Sequence, residues 1–495
     1  MSRRDRVALA ALALVALALR CAFIIDHDED IDALRFALGV DRFDVAELRP
    51  HAPYYPVVVV AAKALAAMGA TARGAMGILS AISGAAVVAL TALLARDAVG
   101  RRAAIIAGLL ALSSPHLWLS SQKLLSDMTG TALFTLGLWL CVRARRIADD
   151  GEGGEPSPWR TAAMLIFGVA LGARLSYFPI ALACLLIVAR AEGGARALLS
   201  RSRDLAAGVA LWLLPLVILG GPRALVRTTW IQGVGHFTRW GGSVITVPSP
   251  IDRARGVVWG IWANVLGGAW IDAPAWRWAA APILVLLLAM AAREAAALRA
   301  WARRHPEIVL SAAAYFLWAL LGQNTANKPR HWTPLAPLLI VALAAGADRL
   351  IAWSRAGHAA IALLFATWIV DGEELVRAHR ALSPAAAIVG FLRDGGASDR
   401  RVITCMLDRM IHEGAPSPAV VRASSEAEVL AALEASPGSW ITGECLTPPV
   451  TAALAARGIE GEARVVFSRP RSRYVDALWP NLGLWSVGPR VSPSR

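Results

Sequence analysis

Apolar runs recur along most of this chain, near 7–25, 74–95, 103–119, 127–142, 161–174, 177–190, 204–221, 279–292, 307–322, 333–348 and 356–370. About 20 apolar residues cross the hydrocarbon core of a bilayer as a helix, and a segment in lipid must satisfy its own backbone. The expected fold is therefore an all-α polytopic membrane domain of about eleven spans. Composition agrees: 57% of the residues are hydrophobic, 17% are charged, and the mean hydropathy is +0.52. A soluble domain carries about 25% charged residues. The first run holds Arg20 and lacks a small-residue cleavage site, so a retained span is expected rather than a cleaved signal peptide. The net charge of +14 does not point to nucleic acid, because the arginines gather between the apolar runs as loop charges do.

Those arginines set the expected topology. They cluster at Arg3, Arg4 and Arg6, at Arg96, Arg101 and Arg102, at Arg143, Arg145 and Arg146, and at Arg190, Arg196, Arg201 and Arg203. Further clusters are Arg293, Arg299, Arg303 and Arg304, then Arg349 and Arg355. Placing every cluster in the cytoplasm follows the positive-inside rule. The alternation then puts 26–54, 222–257, 323–332 and everything from Asp371 onward on the outer face.

The first outer loop is acidic, with Asp26, Asp28, Glu29, Asp30, Asp32, Asp41, Asp44 and Glu47 between residues 26 and 50. Solvated acidic loop residues would need no further role. The adjoining residues are harder to dismiss. "RPHAPYYP" sets three prolines close together, which excludes helix there. Then comes "VVVVAAKALAAMG", too short to span and carrying Lys63. An ionisable residue at membrane depth is a functional candidate by default. The chain has 47 arginines and three lysines, Lys63, Lys123 and Lys328, a bias that suggests a GC-rich genome. All three lysines fall near the expected outer face, where a compact ammonium suits a lipid phosphate.

Other outer-face features point the same way. "QKLLSDMTG" brings Lys123 and Asp127 to the outer ends of two runs, and "NKPRHWTPLAP" brings Lys328, Arg330 and His331 before another. Basic and aromatic residues at span ends also act simply as interfacial anchors. The stretch 222–257 holds Arg223, Arg227, Arg239, Arg253 and Arg255, outside arginines that would suit an anionic ligand.

Taken in order, these motifs resemble the C-type glycosyltransferases, multi-pass enzymes that include protein O-mannosyltransferases and lipid A aminoarabinose transferases. "DALRF" resembles their first-loop Asp-x-x-x-aromatic pattern, with Asp32 as the matching aspartate. The family's usual Asp-Glu pair is here Asp32-Ala33, whereas Asp28-Glu29 lies upstream, so the base stays open among Asp32, Asp30 and Asp28. "PHAPYYP" resembles the proline-rich stretch that comes next in that family, which implies substrate contacts for His51, Tyr54 and Tyr55. Lys63 sits where a phosphate-binding lysine is expected, and Asp127 where a second carboxylate is. Lys328, Arg330, Lys123 and Arg239 are further candidates for the donor. The implied reaction moves a sugar from a polyprenyl-phosphate donor to a glycan, lipid or protein acceptor at the outer face of a bacterial inner membrane. A carboxylate serves as general base, and fixed cations meet the departing phosphate. A divalent cation held by His236 is a further implied possibility. A flippase or transporter of lipid-linked sugar is the alternative, disfavoured because no internal repeat is visible and the charges gather at one face.

From Asp371 the composition changes. "RRVITCML", "PAVVRASS", "GSWITGECL" and "ARVVFS" read as strands, and "SSEAEVLAALEAS" and "PPVTAALAARG" as helices. The expected division is a membrane domain over 1–370 and an extracytoplasmic α/β domain over 371–495. Cys405 and Cys445 fall at strand ends, where they could pair or serve as small core residues.

Overall fold

A computed structural model of the chain describes residues 2–150, 155, 157–269, 273–293, 295–325, 328–396, 400–415, 419–468 and 481–489. The described residues form two compact units. One takes in those of Met1–Asp26 and Arg35–Arg377; the other takes in those of His27–Leu34, Ala378–Ser472 and Ala477–Arg495.

The first unit is helical. In chain order its helices are α1 (Arg3–Cys21), α2 (Ile31–Asp41, begun in the second unit), α3 (Pro56–Ala67), α4 (Ala72–Ala98), α5 (Arg101–Ser113), α6 (Pro115–Ser120), α7 (Asp127–Asp150) and α8 (Ser157–Ala173). They continue with α9 (Phe178–Ala191), α10 (Ala195–Gly220), α11 (Pro222–Gly235), α12 (Pro250–Val257), α13 (Ala280–Ala292), α14 (Ala295–Arg304), α15 (Pro306–Gly322), α16 (Ala336–Trp353) and α17 (Ala356–Arg380). Every predicted apolar run falls on one or more of them. Among the described residues, Ala72–Ala98, Ala195–Gly220 and Pro329–Trp353 are long and apolar enough to cross a membrane. The pair Arg277–Ala292 and Ala296–Arg304, bent by 79°, passes the same test only when its two helices are counted as one span.

The run 103–119 is broken into two helices, α5 and α6. Pro115 excludes α-helical backbone at the residue before it, so Ser114 turns out (φ −55°, ψ 117°) and its hydroxyl caps α6. The stretch 222–257 is largely helical, with α11, a π-turn at His236–Trp240 and α12 occupying much of it.

Helix α4 packs against α1, α5 and α7 at the centre of the unit. The α8–α10 crossing is closer than a side chain would allow. A Cβ on Gly168 would lie 2.2 Å from the Leu205 carbonyl, and one on Gly208 would lie 2.2 Å from the Leu165 carbonyl. Small residues at such crossings let backbones meet where lipid supplies no hydrophobic drive.

The second unit continues with α18 (Pro384–Arg393), α19 (Asp408–Gly414), α20 (Glu426–Ala435) and α21 (Pro448–Ala456) around one sheet. Its strands are β1 (Arg401–Thr404), β2 (Ala419–Arg422), β3 (Trp440–Thr442), β4 (Ile459–Ser468) and β5 (Asn481–Pro489), in the order β2-β1-β3-β5-β4. The first three are parallel; β5 runs antiparallel to β3 and to β4. Ile403, Ile441, Val429, Val450 and Leu454 build its core. Cys405 and Cys445 are joined as a disulfide across the ends of β1 and β3, with Cα atoms 5.5 Å apart.

Candidate functional site

The stretch before α7 is held in place by hydroxyls. Ser80 on α4 donates to the Lys123 carbonyl at 2.7 Å, and Ser83 meets Thr129 at 3.0 Å. This sets Asp127 at the N-terminus of α7, where free N–H groups favour a carboxylate. Asp127 is nearly fully buried and pairs with Arg174: Nη2 lies 2.9 Å from Oδ1. Arg174 leaves the end of α8 with extended backbone, and its Nη1 donates to Ser126 Oγ at 3.0 Å. Gly130 makes room for it, since a Cβ there would stand 2.6 Å from the Arg174 Cβ.

Aromatic rings wall the pair. The Arg174 guanidinium lies 5.8 Å from the Tyr55 ring centre and 5.9 Å from that of Tyr177. Tyr177 packs edge-on against Tyr315, and the Tyr315 hydroxyl donates to the His331 carbonyl at 2.7 Å. That contact brings in the short helix Pro329–Leu335, in which Thr333 donates to the Arg330 carbonyl and meets His116 Nε2 at 3.0 Å. Arg330 is within electrostatic reach of Arg174 and Tyr177. Lys328 is within reach of His331 and His236. Buried cations need a partner, and a phosphate takes charge-assisted bonds from such groups.

No family model matches the chain, and no curated protein sequence does. Solved structures do. ArnT from Cupriavidus metallidurans bound to undecaprenyl phosphate matches with a TM-score of 0.57 at 15% identity, covering 98% of this chain and 98% of that one. The same protein in the apo state matches at 0.54 and 14%, covering 97% of each chain. The archaeal oligosaccharyltransferase AglB from Archaeoglobus fulgidus, in complex with an inhibitory peptide and a dolichol-phosphate, matches at 0.52 and 15%, covering 89% of this chain and 69% of that one. The chain has the C-type glycosyltransferase fold.

Within this C-type glycosyltransferase fold, the residues expected from sequence separate into groups. Asp127, Tyr55, Lys123, Lys328, Arg330 and His236 belong to the first unit. His51 joins Asp127 indirectly: its Nε2 meets the Tyr55 hydroxyl at 3.1 Å, and Phe36 packs on both rings. Tyr54 and Tyr55 both take left-handed backbone (φ 68° and 46°), an unfavourable conformation for bulky residues that surrounding structure must hold. The two side chains make different contacts. Tyr54 bonds to Thr228 and Thr229 on α11, whereas Tyr55 faces Arg174.

Lys63 has an unexpected partner. Its ammonium donates to the Val40 carbonyl at 2.5 Å and to that of Asp41 at 3.4 Å, which closes the C-terminus of α2. Arg239 is exposed on the π-turn. Asp28, Asp30 and Asp32 lie in the second unit. There Asp30 Oδ1 caps α2 by accepting from Ala33 N at 2.9 Å, and Asp32 sits in the first turn of α2. The Asp28 carbonyl accepts from Ser383, and Glu29 pairs with buried His379 at 2.7 Å.

His236, the candidate metal ligand, engages the protein backbone through one ring nitrogen. His236 Nε2 meets the Gly322 carbonyl at 3.0 Å, so that nitrogen carries its proton rather than a free lone pair. Burial holds the ring below the ordinary imidazole value, against the opposing pull of that carbonyl. Among the described residues, no three His, Cys, Asp or Glu side chains gather as a metal site. Sequence reasoning missed Arg174, Tyr177, Tyr315 and His116. Arg174 carried a usable signal: it is a lone charge in the apolar "VALGARLSYF", the same signal that singled out Lys63.

Proposed function

We propose that the chain is a membrane glycosyltransferase that moves a sugar from a polyprenyl-phosphate donor to a cell-envelope acceptor. The observation that carries this reading is the buried Asp127–Arg174 pair in the same C-type glycosyltransferase unit as Lys123, Lys328 and Arg330. A leaving phosphate gains negative charge as the sugar departs. Fixed cations in dry surroundings stabilise that charge without reorganising. Arg174, Arg330, Lys328 and Lys123 are the residues we assign to it, and Lys63 is assigned to bracing α2. Undecaprenyl phosphate on ArnT and dolichol-phosphate on AglB support a lipid-phosphate donor by likeness of fold.

The acceptor hydroxyl must lose a proton, which calls for a carboxylate base. Asp32 is our first choice, with Asp28 second. Asp30 follows them because one of its oxygens already caps α2. The proposed topology has about eleven crossings of a bacterial inner membrane, with 26–54 and the chain from Asp371 outside. The Cys405–Cys445 disulfide supports an oxidising side for the α/β region, to which we assign acceptor recognition or cover of the site.

Mass spectrometry of cell-envelope glycans with and without the protein tests the class. Loss of one sugar from a glycan is the expected result. Loss of the whole glycan would indicate transport instead. Asp32→Asn is expected to abolish transfer in a folded protein, because an amide takes no proton at neutral pH. Full activity in Asp32→Asn with a dead Asp28→Asn moves the base to Asp28.

A further inference from the structure

Helix α11 begins where α10 has already crossed. At 1.5 Å per residue, the 26 residues of α10 reach about 39 Å, more than the roughly 30 Å of bilayer hydrocarbon. Most of α10 faces outward, with Leu211, Leu214, Ile218 and Leu219 exposed. Gly221 then takes a left-handed turn (φ 73°), and Pro222 starts the next helix. By length, α11 starts at a bilayer boundary.

Its two faces differ. Leu225 and Ala224 pack with Val45, Tyr54 and Leu216, and Thr228 bonds Tyr54. The opposite face carries Arg223, Val226, Arg227, Trp230, Ile231 and Val234, all exposed, with Trp230 72% exposed. At 100° per residue these six fall on one side of the helix. Such a face suits neither water nor hydrocarbon, but a tryptophan and arginines among aliphatic side chains suit the headgroup boundary. Among the described residues, neither Arg223 nor Arg227 pairs with a carboxylate.

We propose that α11 lies in the membrane interface and that Arg223 and Arg227 bind the anionic headgroups of bilayer lipids there. The surface is continuous with the lipid-facing flank of α10, and two unpaired guanidinium groups complement a phosphodiester headgroup. This accounts for arginines in a stretch that the positive-inside rule would leave poor in them. It does not depend on the sugar-transfer reading.

The test is native mass spectrometry of the full-length protein, released from bilayers that mix phosphatidylglycerol and phosphatidylcholine of identical chains. The wild type is expected to retain phosphatidylglycerol preferentially. Each arginine removed should lower that preference about fivefold, so Arg223→Gln/Arg227→Gln loses most of it and Arg223→Lys/Arg227→Lys keeps much of it. Arg457→Gln/Arg464→Gln, equal in charge change but in the α/β unit, should leave it intact. Equal retention of the two lipids, or an unchanged preference in the glutamine variant, overturns the proposal. So does displacement of the lipid by inorganic phosphate, which would mark a free-anion site. A dimer cross-linked through Trp230→Cys would assign the face to a second copy instead, and also overturns it.

Discussion

Arg174 shows how one side chain can organise a site. Its guanidinium meets Ser126 and Asp127 at the start of α7, Tyr55 at the start of α3 and Tyr177 just before α9. Removing one partner of a buried pair leaves the other charge uncompensated, at about 3–5 kcal/mol. Arg174→Ala should therefore lower the melting temperature sharply in detergent, while Arg174→Gln/Asp127→Asn should cost less than the sum of its single changes. Additive effects would show that the pair does not act as a unit. Lys63 calls for a different measurement. With its ammonium on the α2 carbonyls, Lys63→Ala is expected to lower the melting temperature and leave polyprenyl-phosphate binding unchanged. Weaker binding at an unchanged melting temperature would return Lys63 to the donor site.

At the scale of elements, the junction of α14 and α15 carries a built-in pH response. Burial, then the nearby Arg304 and Arg145, push His305 from 6.5 down to about 4. Its ring lies tilted against Trp301, with centroids 5.2 Å apart. The unfolded chain takes up a proton near 6.5, whereas the folded one resists until about 4. Stability contributed by the neutral ring is thus present above pH 6.5 and falls as the pH drops through that interval. Melting of His305→Gln followed between pH 7 and pH 4 should show a shallower decline than the wild type. Parallel curves would remove His305 from the response. The same scale shows why crossing counts are hard to read. Ser114-Pro115 divides one apolar run into α5 and α6, a break that a hydropathy window averages away.

For the whole molecule, the proposed topology makes a prediction at two distant points. Ala46→Cys and Gly414→Cys should both react with a membrane-impermeant thiol reagent in intact cells, measured against the wild-type background. Reaction at only one of them would break the alternation drawn from the arginine clusters. The second unit offers a related view of its compartment, because its disulfide bridges strand ends 40 residues apart in sequence. Closing a loop of that length restricts the unfolded chain by about 4 kcal/mol in the entropic account.

The helical and α/β regions were legible from sequence alone because their signals are local. Apolar run length marks helices in lipid, and alternating short strands and capped helices mark the sheet region; β5, α18 and α19 went unread. Asp127 was also legible, since a carboxylate in an apolar stretch near a lysine stands out in one dimension. The tertiary structure decided what these residues touch. Arg174 lies 47 residues after Asp127 in the chain, and their pairing exists only because α7 and α8 pack side by side. Lys63 invited a phosphate or a carboxylate as partner. It found two backbone carbonyls at the end of α2, and no residue pattern encodes those, because every residue carries one.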